Sequence, residues 1–270
     1  MGTAGKIIGR GRTADVLEWE DGKVLKLFRP DFSREWIEHE YRIARTVHEA
    51  GVSSPRPYEL IETAEGTGIV YERVAGASLF DVMQKSPWKL NRYSRRLAQL
   101  HIRMHESRTD KIPPQFERLP ERIRHSAKLL GGSLDKILRY TEKLPRGNAV
   151  CHGDFHPGNV MEERESLLIL DWTNAEAGNP AADVARTLLM LRSPYMPPGS
   201  SKLAEWLSVW FKRRLEKEYL KEYLRISGMP NADIEAWMLP VAAARLREEV
   251  PGEREWLLAF IEGRLKAVPE

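Results

Sequence analysis

One stretch limits the folds open to this chain more than any other: Cys151-His152-Gly153-Asp154-Phe155-His156-Pro157-Gly158-Asn159-Val160, followed by Leu168-Ile169-Leu170-Asp171-Trp172. A short apolar run, Ala149 to Cys151, ends in a polar loop that carries a carboxylate, imidazoles and an amide. Two further apolar runs, Val160-Met161 and Leu167 to Leu170, flank the polar stretch Glu162 to Ser166 and read as a β-hairpin. In an antiparallel hairpin the start of one strand and the end of the other lie together. Asn159 and Asp171 are therefore expected side by side, with Asp154 on the loop just before them. An Asp and an Asn oxygen meeting at one point suit a hard cation such as Mg2+, which binds oxygen and keeps waters and phosphates in its shell. A separate, uncoordinated Asp nearby is what a general base requires. The bland alternative is a loop with an Asp turn, a Gly-Asn turn and an ordinary hairpin. A sharper competitor is a transition-metal site using His152-x-Asp154-x-His156, but the sequence offers no further His or Cys cluster to complete its shell. His101 and His105, four apart on a predicted helix, lack the Glu of a zinc-protease motif. They read as helix residues, one facing in and one facing out.

The string from His152 to Asn159, followed by Leu170-Asp171-Trp172, resembles the catalytic and metal-binding motifs of the aminoglycoside phosphotransferase and choline kinase family, relatives of the protein kinases. The resemblance implies an α+β, two-lobed protein-kinase-like fold. Residues 1–75 would form a nucleotide-binding lobe, a small antiparallel sheet plus one helix, with a hinge at about 71–77. Residues 76–270 would form a mostly helical lobe for catalysis and acceptor binding. The implied activity is Mg2+-dependent transfer of the γ-phosphate of ATP, or GTP, to a hydroxyl of a small molecule. Asp154 would be the catalytic base, while Asn159 and Asp171 would hold Mg2+ on the nucleotide phosphates.

Composition is compatible with this. A chain of 270 residues can build two lobes with a substantial core. A formal charge of +3 without long single-sign blocks gives no reason to expect nucleic acid or an anionic membrane as partner. Cys151, the one cysteine, excludes an internal disulfide and fits a reducing compartment. No apolar run approaches the ~20 residues of a membrane span, and Met1 to Arg10 lacks the apolar segment of a signal peptide. A cytoplasmic location is the expectation, and the oligomeric state is left open.

From Lys6 to Phe28 the pattern is β: Ile7-Ile8, then Gly9-Arg10-Gly11-Arg12-Thr13-Ala14, a run around Val16 to Trp19, a hairpin turn at Asp21-Gly22, and a strand from Lys23 to Phe28. Glycines at 9 and 11 let a loop bring its backbone N–H groups close to phosphates. Strand, glycines, strand and then a lysine on the next strand resembles the Gly-rich loop of kinases. That resemblance adds Gly9, Gly11, Thr13 and Val16 to the expected nucleotide contacts. Lys26 shares a strand face with Val24 and Phe28, so it must snorkel outward or find an anion. The helix beginning after Ser33 supplies one. Trp36, Ile37, Ile43, Ala44 and Val47 all point within about 60° of Glu40 at ~100° per residue, whereas Glu35, Glu38 and Glu49 point away. A Lys26–Glu40 pair would satisfy both charges and would match the lysine–glutamate pair that positions kinase phosphates. Tyr58 to Glu62 and Gly68 to Glu72 complete a five-stranded sheet. The hinge Glu72-Arg73-Val74-Ala75-Gly76 would read an adenine edge through its main chain, with Glu72 and Val74 as the contact positions.

Ser78-Leu79-Phe80-Asp81 looks like a capping box. Helical periodicity follows over Lys89 to Ser107 and Glu117 to Leu144, interrupted at Pro113-Pro114 and Gly131-Gly132. Asn179-Pro180 looks like a helix start. Periodicity turns Asp183 away from the stripe of Ala181, Ala185, Leu188 and Leu189, although in the family an Asp at this place supports the catalytic loop. Three helices are expected from Ser200 to Leu265. Only Trp172 to Asn179 separates Asp171 from the helix at Pro180, too short for the peptide-binding activation segment of protein kinases, and the Ala-Pro-Glu element is missing. A small-molecule acceptor is favoured, on the aminoglycoside phosphotransferase pattern; the alternatives are a choline, ethanolamine or sugar kinase of the same fold, or a nucleotide-binding protein without transfer activity. Glu176, Trp237, Glu248 and Glu249 could meet a cationic acceptor, and Arg245 and Arg247 an anionic or sugar one.

Overall fold

The computed structural model describes residues 5–20, 22–196 and 199–268. In chain order the elements are β1 (Ile7–Arg10), β2 (Ala14–Glu18), β3 (Lys23–Phe28), α1 (Arg34–Glu49), β4 (Pro57–Thr63), β5 (Gly66–Glu72), β6 (Ala77–Ser78), α2 (Leu79–Lys85), α3 (Leu90–Glu106), α4 (Gln115–His125), α5 (Ala127–Leu130) and α6 (Leu134–Glu142). They continue as β7 (Ala149–Cys151), β8 (Val160–Glu163), β9 (Ser166–Ile169), β10 (Glu176–Gly178), α7 (Pro180–Arg192), α8 (Lys202–Ser227), α9 (Asn231–Arg245) and α10 (Arg254–Leu265). The chain forms two compact units, one from Met1–Val82 with Pro157–Ala175 and the other from Met83–His156 with Glu176–Glu270.

In the first unit an antiparallel sheet runs in the order β1-β2-β3-β5-β4. Of the expected turn at Asp21-Gly22, Asp21 lies outside the described residues. Gly22 has φ 73°, a conformation glycine adopts without a Cβ clash. Strand alternation sorts the apolar side chains into two clusters. Leu17, Leu25 and Val70 pack on one face, while Ala14, Phe28 and Ile69 pack with Ile37 of α1 on the other. α1 starts where Ser33 Oγ accepts from the Trp36 N–H at 3.3 Å. Its buried side is Ile37, Glu40, Ile43, Ala44 and Val47, the stripe expected from periodicity save for Trp36, which is half-buried. The hairpin β8–β9 joins β6 in a separate three-stranded sheet. It is anchored by Ile169 N–H donating to the Ser53 carbonyl at 2.8 Å and Ser53 Oγ donating to the Leu167 carbonyl at 2.7 Å.

The second unit is helical apart from β7 and β10, which pair antiparallel with Cys151 opposite Glu176. The expected cap at Asn179 is present, its Oδ1 accepting from Ala181 N–H at 2.9 Å with Pro180 in the first turn. α7 buries residues on every side, Ala181, Ala182, Val184, Ala185, Leu188 and Leu189 among them. A helix wrapped in protein has no polar face, so the stripe reading that turned Asp183 outward is wrong: the residue is 2% exposed. His101 and His105 need a second correction. Both face inward, because α8 packs along α3 and covers them with Tyr219 and Tyr223.

Candidate active site

Lys26 projects from β3 on the side facing α1, with its ammonium 5.3 Å from the centre of the Phe28 ring. Lys26 Nζ donates to Glu40 Oε1 at 2.6 Å and lies 3.4 Å from Asp171 Oδ1. The pair expected from the sequence is therefore formed, and the carboxylate of Asp171 adjoins it. Glu40 is almost completely buried, so one ammonium does not satisfy both its oxygens. Thr173 Oγ1 supplies the rest, standing 2.9 Å from Glu40 Oε2 and 2.8 Å from Asp171 Oδ1. A hydroxyl has one proton, so it donates to one of the two carboxylates at a time. Burial works against the Lys26 charge, but the carboxylates of Glu40 and Asp171 outweigh it and hold the ammonium's pKa above its ordinary value. For Glu40 burial dominates and pushes the carboxyl up against the opposing pull of Lys26.

Asn159 and Asp171 leave the same end of the hairpin. Val160 faces Ile169, and Leu170 N–H donates to the Asn159 carbonyl at 2.8 Å. Asp171 itself is left-handed, with φ 61° and ψ 73°, a conformation that costs a non-glycine residue about 1 kcal/mol or more and recurs at functional sites. Gly9 lies in β1, and Gly11 opens the turn to β2. Gly11 N–H donates to the Ala14 carbonyl at 2.8 Å, and a Cβ on Gly11 would crowd that oxygen at 3.1 Å. Thr13 follows, half-buried, its carbonyl accepting from Arg29 N–H. Val16 stands opposite Gly9 on β1 and opposite Lys26 on β3. Glu72 ends β5 paired through its backbone to Arg56, and Val74 is half-buried just beyond it.

In the second unit Asp154 follows β7 after Gly153, whose φ is 72°. Asp183 fixes this turn from α7. Its Oδ1 accepts from Gly153 N–H at 2.9 Å, and its Oδ2 from His152 N–H at 2.7 Å, His101 Nε2 at 3.1 Å and His105 Nε2 at 3.2 Å. An ionised carboxylate only accepts, so both Nε2 atoms carry protons and both Nδ1 atoms face the hydroxyls of Tyr219 and Tyr223. Burial, and secondarily His105, pushes the His101 pKa down to about 3 against the pull of Asp183. Burial alone would raise the Asp183 carboxyl, but the hydrogen bonds from His101 and His105 hold it well below the usual range. Potential ligand atoms of His101, His105 and Asp183 lie within 4.8 Å of one another. Here those atoms bond to each other and to the loop, which makes the group a brace for the turn before Asp154.

Asp154 stands between a guanidinium and an imidazole. Arg186 Nη2 lies 3.6 Å from its Oδ1 and His156 Nε2 3.7 Å from its Oδ2. Burial opposes ionisation, but His156 and Arg186 prevail and keep the carboxyl well below the ordinary range. Arg186 also donates through Nε to the Gly153 carbonyl, and through Nη1 to Glu248 Oε1 at 2.6 Å. Arg186 and Thr173 are absent from the sequence reading. The available signal for Arg186 was its place three residues after Asp183 in an apolar helix, where any charge needs a partner. Among the acceptor candidates, Glu176 and Trp237 are core residues, and Glu176 is bound by Arg122.

Residues 5–223 match the profile of the phosphotransferase enzyme family, and the chain belongs to that family. Its fold is protein-kinase-like. The crystal structure of an aminoglycoside-3'-phosphotransferase of type VIII superposes with a TM-score of 0.59 at 18% identity, covering 90% of this chain and 93% of that one. An amicoumacin kinase in complex with AMP-PNP, Ca2+ and Ami gives 0.58 at 16% identity, covering 98% and 88%. The mouse (Mus musculus) acyl-CoA dehydrogenase family member 10 is 24% identical over 220 residues, 73% of this chain and 21% of that protein. The chain thus spans about a fifth of the length of that curated relative.

Proposed function

We propose that the protein is a Mg2+-dependent small-molecule kinase that moves the γ-phosphate of ATP, or GTP, to an acceptor hydroxyl. The observation that carries this reading is the Lys26 ammonium held between Glu40 at 2.6 Å and Asp171 at 3.4 Å. Such an ammonium is pre-positioned for phosphate oxygens, and its buried glutamate prevents it from swinging away. The donor set at the hairpin end, a carboxylate and an amide oxygen, fits Mg2+. Asn159 and Asp171 would hold the ion, which when bound supplies positive charge to the phosphates.

The remaining roles belong to side chains of the loop. Asp154, kept ionised by Arg186 and His156, accepts a hydrogen bond from the acceptor O–H and aligns it. The acceptor oxygen bonds to the γ-phosphorus, the bond from that phosphorus to the β-bridging oxygen breaks, and the nucleoside diphosphate leaves. The acceptor proton passes to Asp154. A carboxylate with so low a pKa takes that proton only late, so its larger contribution is orientation. Gly9 and Gly11 would lend backbone N–H groups to the phosphates, with Thr13 and Val16 beside them, and the main chain at Glu72 and Val74 would meet the base.

Nucleotide consumption with Mg2+, measured across aminoglycosides, macrolides, choline, amino alcohols, hydroxy acids and sugars, tests the reading. Diphosphate release dependent on one acceptor class is expected. Release no greater than the acceptor-free rate with every class contradicts it.

A further inference from the structure

We infer that the acceptor carries an oxyanion, a phosphate or a carboxylate, received by the guanidinium groups of Arg118 and Arg247 in the unit that holds Asp154. This rests on the phosphotransfer reading and names the acceptor class for it. α4 presents Arg118 and Arg122 one turn apart on the same side. It packs against the short helical turn Leu246–Glu248, which carries Arg247 and Glu248. Glu248 binds Arg186 at 2.6 Å, and Arg186 reaches Asp154 at 3.6 Å. Arg247 lies in the field of Arg122, Arg186 and Arg118 together. The fold thus gathers four guanidinium groups on the elements that frame the candidate base.

These four are not equally committed. Arg122 is bound to Glu176 through both Nη atoms, at 3.2 and 3.1 Å. Arg186 is bound to Glu248, and the neighbouring Arg245 to Glu253 at 2.7 and 2.8 Å. Arg118 and Arg247 have no carboxylate within ion-pair distance among the described residues, although Glu121 and Glu176 lie in the field of the first and Glu248 in that of the second. Arg118 Nη1 is buried and meets no acceptor. Burial presses both arginines below their ordinary pKa, helped by Arg122 for Arg118 and by Arg122, Arg186 and Arg118 for Arg247. A buried donor without an acceptor, on a cation that has another guanidinium beside it, is a cost that an oxyanion offsets, and the planar guanidinium matches carboxylate or phosphate oxygens two at a time. A polycationic acceptor would instead meet like charge.

The test uses the full chain, the variant Arg118→Gln/Arg247→Gln and the variant Arg247→Gln, whose exposed side chain keeps folding intact. Nucleotide consumption with Mg2+ is compared for matched acceptors: glycerol 3-phosphate against glycerol, 3-hydroxybutyrate against 1,3-butanediol, and kanamycin. Stabilisation by inorganic phosphate is read in parallel by thermal shift, with Lys26→Ala as the control for phosphate bound at the lysine. Consumption with an anionic member alone is expected, the phosphate and carboxylate arms telling which oxyanion is read. Its KM should rise about tenfold or more in the arginine variants with nucleotide affinity unchanged, the loss expected for a charge-assisted hydrogen bond. Equal use of the neutral partner, use of kanamycin, or the same KM in the variants overturns the oxyanion site while phosphotransfer stands. If none of these acceptors is consumed, phosphate stabilisation that is lost in the arginine variants and kept in Lys26→Ala supports the site, and phosphotransfer is decided by the wider set of acceptor classes given above. Phosphate stabilisation unchanged in the arginine variants overturns the site.

Discussion

Asp154→Ala is expected to lower phosphoryl transfer by about 10²–10⁴-fold, the usual weight of a positioned acid–base group, and to leave the dissociation constant for Mg-nucleotide unchanged. The separation follows from where the charges sit. The Lys26 ammonium is held by Glu40 and Asp171, with Thr173 bridging those two carboxylates, and Arg186 and His156 stand beside Asp154. Removing Asp154 deletes none of the groups that hold the ammonium. Asp154→Asn should behave similarly, because the amide keeps the shape and cannot take the acceptor proton. Since the carboxyl is held below its ordinary value, it stays ionised throughout pH 5–8, and any loss of rate in that window belongs to another group. Turnover near that of the wild type in Asp154→Ala removes the residue from its role.

The second large effect is on stability. Asp183→Ala should cost about 3–5 kcal/mol in urea unfolding, the range found when one partner of a buried charged network is deleted. It strands the N–H groups of His152 and Gly153 and both imidazole donors together. The same network makes the protein acid-sensitive. The folded state holds the His101 pKa at about 3 against an ordinary 6.5, so below pH 6.5 the unfolded chain takes a proton that the folded one refuses. Stability therefore falls as pH drops, by about 1.4 kcal/mol per unit from this group, or about 2 kcal/mol at pH 5. Asp183 acts in the same direction. Its depressed pKa stabilises the fold above the unfolded carboxyl's pKa, and that contribution is lost as pH falls through the folded value. An Asp183→Ala protein within about 1 kcal/mol of the wild type contradicts the proposed brace.

The sequence was most readable where one period dominates. The five strands follow from alternation, and Glu40 could be assigned to the interior because α1 has a single buried stripe. α7 lacks such a stripe, so the method that located Glu40 turned Asp183 the wrong way. The direction of His105 depends on Tyr223, a residue of another helix far along the chain, which no local pattern records. Thr173 and Arg186 were missed for the same reason, since their importance lies in carboxylates that the fold brings to them. The arginines at 118, 122, 186 and 247 are scattered in sequence and become a group only when α4, α7 and the turn after α9 are assembled.

Calorimetric titration of nucleotide with and without Mg2+, on the wild type and on Asp171→Ala, tests the central claim most directly. Nucleotide should bind the wild type in a Mg2+-dependent manner, and Asp171→Ala should weaken that binding at least about tenfold, as expected on losing one charge-assisted contact, while abolishing most of its response to Mg2+. Equal affinity and equal Mg2+ dependence in the two proteins would show that the hairpin end does not hold a metal on phosphates, and the reading of Lys26 and Asp171 as phosphate machinery would fall with it.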